Sequence, residues 1–90
     1  MKDLKINHLQ HVGIPVTDLR TSEAFYETLG FQNVMSSTFE FAGEAGGKVA
    51  MMKNGSVIIE LYQMPETALR KIRERGEGQI DHVALDVADV

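Results

Sequence analysis

Three side chains in this sequence are of types that bind divalent metal ions and transfer protons: His11, Glu60 and His82. Each lies in a segment that the sequence pattern predicts as a strand with one buried face. Each also falls on the less apolar face of its strand. Two imidazoles and one carboxylate suit a borderline ion such as zinc, nickel, cobalt or iron. The spacing therefore indicates a possible metal site, and the alternative is that the two histidines are hydrogen-bonded surface residues.

Glu60 is the most informative of the three, because it interrupts an apolar run between Ile59 and Leu61. A carboxylate at such a position costs free energy to bury unless it is paired or metal-bound; the alternative is that it faces water. His8 competes with His11 as the first imidazole, but it is three residues away and falls on the opposite face of a strand. We therefore predict His11 as the ligand.

Strands and helices must position these side chains, and the sequence pattern predicts their order. Strands are predicted at 6–16, 31–41, 49–53, 56–63 and 79–87, and helices begin after Asp18 and at Pro65. The dipeptide Asn54-Gly55 is a strong hairpin signal, and the glycine-rich stretch 43–47 is predicted as another turn. The first helix is expected to pack on the sheet through Phe25, Tyr26 and Leu29. Their predicted contacts are Val12, Ile14, Val57, Ile59 and Leu61.

The fifth predicted strand repeats the first. The segments His11–Leu19 and His82–Val90 are identical at four of nine positions. Both place a histidine on the polar face of a strand, and both place an aspartate where a helix should begin. The repeat predicts a unit of strand, helix and three strands, of which the second copy is only begun.

Composition restricts the class of protein. The chain has 90 residues, a formal net charge of −4 and no cysteine. A single small domain is expected, without disulfides or thiolate metal ligands. Nucleic acid is an unsuitable partner because phosphate binding needs a basic patch. No apolar run spans a bilayer and no secretory signal is recognised, so we expect a cytoplasmic protein.

The segment His11–Leu19, with Phe25-Tyr26 and Leu29-Gly30-Phe31 after it, resembles the start of the glyoxalase / bleomycin-resistance / dioxygenase superfamily, the vicinal oxygen chelate fold. Ile59-Glu60-Leu61 resembles its fourth strand, and Gly78–Val87 the start of its second module. The resemblance implies an α+β fold. A βαβββ module would occupy 1–64, a linker helix 65–77 and the start of an incomplete second module 78–90. It also implies His11, Glu60 and His82 as three of four metal ligands.

The resemblance implies a lactoylglutathione lyase-like enzyme, in which Glu60 transfers a proton alpha to a carbonyl through a metal-bound enediolate. The implied substrate is a glutathione hemithioacetal. The alternatives are a methylmalonyl-CoA epimerase-like enzyme acting on an acyl-CoA, a ligand-binding module of the bleomycin-resistance type, and an inactive truncated fragment. One module leaves a sheet face open and the fifth strand without neighbours, so we expect a homodimer.

Overall fold

The computed structural model of the chain describes residues 7–75. Six elements follow one another in a β-α-β-β-β-α order. They are β1 (Val12–Pro15), α1 (Leu19–Glu27), β2 (Gln32–Phe41), β3 (Glu44–Asn54), β4 (Val57–Gln63) and α2 (Glu66–Arg73). This order confirms the predicted α+β class and the βαβββ unit. The strand predicted at 79–87 lies outside the described residues, as does His82.

The four strands form one sheet in the order β1-β4-β3-β2. The strands β2, β3 and β4 are antiparallel neighbours, since two-residue turns join them. β1 pairs in parallel with β4, and α1 makes the connection that returns the chain to the far edge. The first and fourth strands of the unit are therefore adjacent. Within residues 7–75, neither helix has the length and apolar content that a membrane span requires.

The two hairpins differ from the predicted ones by a small shift. The β2–β3 turn consists of Ala42 and Gly43, with φ of 52° and 79°, the pattern of a type I′ turn. The glycines Gly46 and Gly47, predicted as turn residues, lie within β3 instead. In the β3–β4 turn Asn54 pairs with Val57, so that Gly55, with φ of 59°, begins the turn. The predicted hairpin is confirmed, but it is displaced by one residue.

The apolar core lies between α1 and one face of the sheet. Ile59 and Leu61 from β4 and Ala50 and Met52 from β3 are at most 2% exposed, and Leu19 packs with them from α1. Tyr26 contacts this cluster, as predicted. The packing predicted for Phe25, Leu29 and Val57 is wrong, since these side chains are 58%, 46% and 41% exposed.

Helical geometry explains the difference. Leu19 and Tyr26 are seven residues apart, almost two turns, and so lie on one face of α1. Phe25 lies about 100° further around the helix, which turns it away from the sheet. Gly30, with φ of 88°, then redirects the chain and lets Phe31 enter the core, where it is 2% exposed.

The first turn of α1 is fixed to the end of β4. The Asp18 side chain accepts a hydrogen bond from the Thr21 backbone N–H at 3.0 Å, which caps the helix. This bond holds the pKa of Asp18 below its ordinary value. The Leu19 backbone N–H donates to Gln63 Oε1 at 2.8 Å. The orientation of α1 on the sheet thus depends on Gln63, the last residue of β4.

Candidate functional site

Glu60 lies on the sheet face that α1 leaves uncovered. Because Ile59 and Leu61 point into the core, alternation along β4 places Glu60 and Tyr62 on the opposite face, which we call the open face. Both side chains line a cavity of about 400 Å³. Its other lining residues are Phe39, Phe41, Val49 and Met64. The half-buried Glu60 carboxylate is the single charged group among these six residues.

The carboxylate of Glu60 lies over β1 at Gly13. These two residues are direct partners across the parallel pair. An ideal Cβ at Gly13 would lie 3.5 Å from Glu60 Oε1 and 3.5 Å from Tyr62 Cε1. The absence of a side chain at Gly13 thus leaves room beside the carboxylate. Gly13 is a site residue that the sequence reasoning missed, although a glycine inside a strand can signal such a close approach.

His11 lies just before β1, two residues upstream of Gly13, and is half-buried. Its Nδ1 lies against the side-chain oxygen of Gln10. It makes no ion pair with Glu60, since the ion pairs found within residues 7–75 join Glu66 to Arg70 and Arg73. The structure therefore brings the strand that follows His11 next to Glu60, and within residues 7–75 the two side chains form no ion pair.

The donor set fits a divalent ion in its chemistry. An imidazole from just before β1 and a carboxylate from β4 are ligands that zinc, nickel, cobalt and iron accept. Within residues 7–75, no group of three acidic or histidine side chains is close enough to hold an ion. The third predicted ligand, His82, lies outside the described residues, and the exposed His8 takes no part. The described chain thus offers two candidate ligands on neighbouring strands.

The wall of the cavity opposite Glu60 depends on an aromatic ring placed over a glycine. Phe39 and Gly47 are partners across β2 and β3. An ideal Cβ at Gly47 would lie 2.6 Å from the Phe39 Cζ atom and 2.7 Å from both Cε atoms. Gly47 is buried as a result. Only glycine lets the Phe39 ring lie flat on the β3 backbone, so this pair fixes one side of the cavity.

Helix α2 is docked beside the same cavity by a carboxylate from β3. The Thr67 backbone N–H donates to Glu44 Oε1 at 2.9 Å, and the Thr67 hydroxyl donates to Glu44 Oε2 at 2.8 Å. Pro65, at the N-cap position of α2, makes no side-chain cap. Glu44, which lies on β3, therefore supplies a hydrogen-bond acceptor for the first turn of α2, which has no side-chain cap of its own. The two bonds from Thr67 hold the pKa of Glu44 below its ordinary value.

We expect Glu44→Gln to destabilise the fold at neutral pH and to be nearly neutral in acid. A carboxyl group with a depressed pKa in the folded state stabilises that state above its unfolded pKa. This contribution is lost as the pH falls through the depressed value. Urea unfolding from pH 7 down to pH 3 measures the effect. The control is Glu40→Gln, which removes an exposed carboxylate from β2. A Glu44→Gln effect that does not change with pH would contradict the assigned role.

The amino-acid sequence is similar to those of known proteins. The sequence profile described as "Glyoxalase/Bleomycin resistance protein/Dioxygenase superfamily" matches residues 10–90. The chain is also similar to "Uncharacterized protein YwkD" of Bacillus subtilis (strain 168), with 31% identity over 86 residues. This match covers 94% of the chain and 65% of the relative's length. No solved structure matches the sequence significantly.

Proposed function

The chain belongs to the glyoxalase/bleomycin resistance protein/dioxygenase superfamily, and on this premise we propose that it acts as a metal-dependent lyase or isomerase. The proposed reaction moves a proton alpha to a carbonyl, as in lactoylglutathione lyases. The proposed substrate is the hemithioacetal of glutathione and a 2-oxoaldehyde. The observation that supports this proposal is the placement of the Glu60 carboxylate at a cavity on the open face, directly across from Gly13.

In this proposal Glu60 is the proton carrier. Its carboxylate removes the proton from the carbon of the hemithioacetal and returns it to the neighbouring carbon, which yields a thioester of a 2-hydroxy acid. Atoms balance because the hydroxyl proton of the hemithioacetal carbon also passes to the former carbonyl oxygen, so that the reaction is an isomerisation. Tyr62 and Phe39 line the cavity beside Glu60. Delivery of a proton to the opposite face of the same carbon would instead give epimerisation, as the acyl-CoA alternative requires.

The proposed metal ligands are His11, Glu60 and His82. A bound zinc, nickel, cobalt or iron ion would supply Lewis-acid stabilisation of the negative charge that develops on the substrate oxygens. His11 would contribute an imidazole just before β1, the strand that pairs with the one carrying Glu60. Two further parts of the proposal would complete this site. One is a second module that starts at 78–90 and follows the first module at 1–64. The other is a homodimer that covers the open face.

The test is metal binding and thioester formation by the purified chain. We expect stoichiometric binding of zinc or nickel in titration calorimetry, and loss of binding in His11→Ala. The matched control is His8→Ala, which removes an exposed imidazole and should bind the ion as the parent does. The metal-loaded chain should form thioester from glutathione and a 2-oxoaldehyde.

Two outcomes would overturn the proposed function. One is unchanged metal binding in His11→Ala, which would show that His11 is not a metal ligand. The other is a metal-loaded chain that forms no thioester and exchanges no substrate proton with deuterated water. A chain that binds hemithioacetal without either reaction would favour the ligand-binding alternative.

A further inference from the structure

We propose that the cavity beside Glu60 receives the carbon substituent on the substrate's carbonyl group, and that it selects an aryl or branched alkyl substituent over a methyl group. This inference rests on the proposed function, because it assumes that the polar end of the substrate lies at Glu60. It concerns the apolar wall of the cavity rather than the proposed metal ligands, and it identifies which 2-oxoaldehydes the chain would accept.

The composition of the cavity wall supports an apolar substituent. Apart from Glu60, all five residues that line the cavity are aromatic or aliphatic, or carry a thioether; they are Phe39, Phe41, Val49, Tyr62 and Met64. The volume of about 400 Å³ lies within the range of small-molecule sites, about 300–1,000 Å³. Such a site binds an apolar group through its walls and orients it through a few polar groups. Here the Glu60 carboxylate is the charged polar group, and Tyr62 carries a hydroxyl group.

The direction of the strands shows where the substituent would lie. Glu60 and Tyr62 are consecutive residues of the open face along β4, and Met64 follows the end of that strand. The cavity therefore extends from Glu60 towards the end of β4. A substrate whose oxygens lie at Glu60 has its carbon substituent beside Tyr62 and Met64.

Two aromatic rings from β2 make this space suitable for a flat or bulky group. Phe39 lies against the backbone of Gly47, which leaves the other face of its ring towards the cavity. Phe41 is 51% exposed although it lines the cavity. A phenyl group placed there would cover apolar surface of both rings, at about 25 cal/mol per Å² removed from water. A methyl group covers much less of this surface.

The experiment compares two neutral probes that share the same pair of neighbouring oxygens. These are 2-hydroxyacetophenone, which carries a phenyl group, and hydroxyacetone, which carries a methyl group. Binding to the metal-free chain is followed by NMR titration, so the readout does not depend on catalysis. We expect the phenyl compound to bind at least about tenfold more tightly, which corresponds to about 1.4 kcal/mol.

Variants test which side chain causes the preference for the phenyl compound. Phe39→Ala should reduce it to about threefold or less, because the wall opposite Glu60 is removed. Phe39→Leu retains an apolar side chain and gives an intermediate preference if the alanine variant does not fold. The matched control is Phe25→Ala, which removes an exposed ring from α1, on the other side of the sheet. This control should retain the full preference.

The outcomes separate this inference from the proposed function. Equal affinity for the two probes, or a phenyl preference that persists in both Phe39 variants, would overturn the inference. Metal binding and thioester formation without a phenyl preference would retain the proposed function and reject the inference. A phenyl preference in a chain that binds no metal would support the cavity assignment and reject the proposed function.

Discussion

Phe31→Ala is expected to lower the free energy of unfolding by about 3–5 kcal/mol, the usual cost of truncating a buried aromatic residue. Phe31 is 2% exposed and packs in the core with Leu19 and Met52. Its ring meets that of Tyr26 edge to face, with ring centroids 5.6 Å apart. Its backbone N–H also donates to the Tyr26 carbonyl at 3.1 Å. Phe31 thus joins the end of α1 to the sheet.

The matched control is Phe25→Ala, which should cost about 0.5–1.5 kcal/mol, the worth of one edge-to-face aromatic contact. Phe25 is 58% exposed, and its contact with the Tyr26 ring has a centroid distance of 5.2 Å. Urea unfolding of the two variants measures the difference. Phe31→Leu provides a folded intermediate if the alanine variant is unfolded throughout. Equal costs for Phe25→Ala and Phe31→Ala would contradict the packing described for the end of α1.

This pair of phenylalanines shows what the sequence could and could not predict about the fold. The order of elements follows from alternation in the strands and from the signals at Asp18 and Gly30. Both phenylalanines are large and apolar, and pattern alone favoured Phe25 because it lies within the helix. The burial of Phe31 depends on the backbone turn at Gly30 and on where α1 lies across the sheet. These are tertiary properties that a local pattern does not contain.

The candidate site, like the fold, could be predicted from the sequence only in part. Glu60 stands out in the sequence because a carboxylate within an apolar strand costs free energy to bury unless it is paired or metal-bound. Gly13 and Gly47 give weaker signals, because a glycine within a strand can indicate a close approach but only the strand register shows which side chain approaches. One lies opposite Glu60 and the other beneath Phe39. The link from Glu44 to Thr67 also joins residues far apart in sequence. The assignment of His82 stays a prediction.

Glu60→Gln is expected to lower kcat for thioester formation by about 10²–10⁴-fold, the usual contribution of a general base. Glutamine keeps the shape of the side chain and an oxygen ligand, but it accepts no proton at neutral pH. The assay is run at saturating metal ion, so that weakened metal binding does not account for the loss. Exchange of the substrate proton with deuterated water should fall by the same factor.

Glu27→Gln is the control, because it removes an exposed carboxylate from α1, away from the open face. It should leave kcat unchanged and thereby exclude a general effect of net charge. A Glu60→Gln variant that keeps kcat within tenfold of the parent at saturating metal would show that another group carries the proton. If kcat falls but exchange of the substrate proton is preserved, Glu60 returns the proton to the substrate and another group removes it. The proposed function predicts the joint loss, because in it one carboxylate both removes and returns the proton.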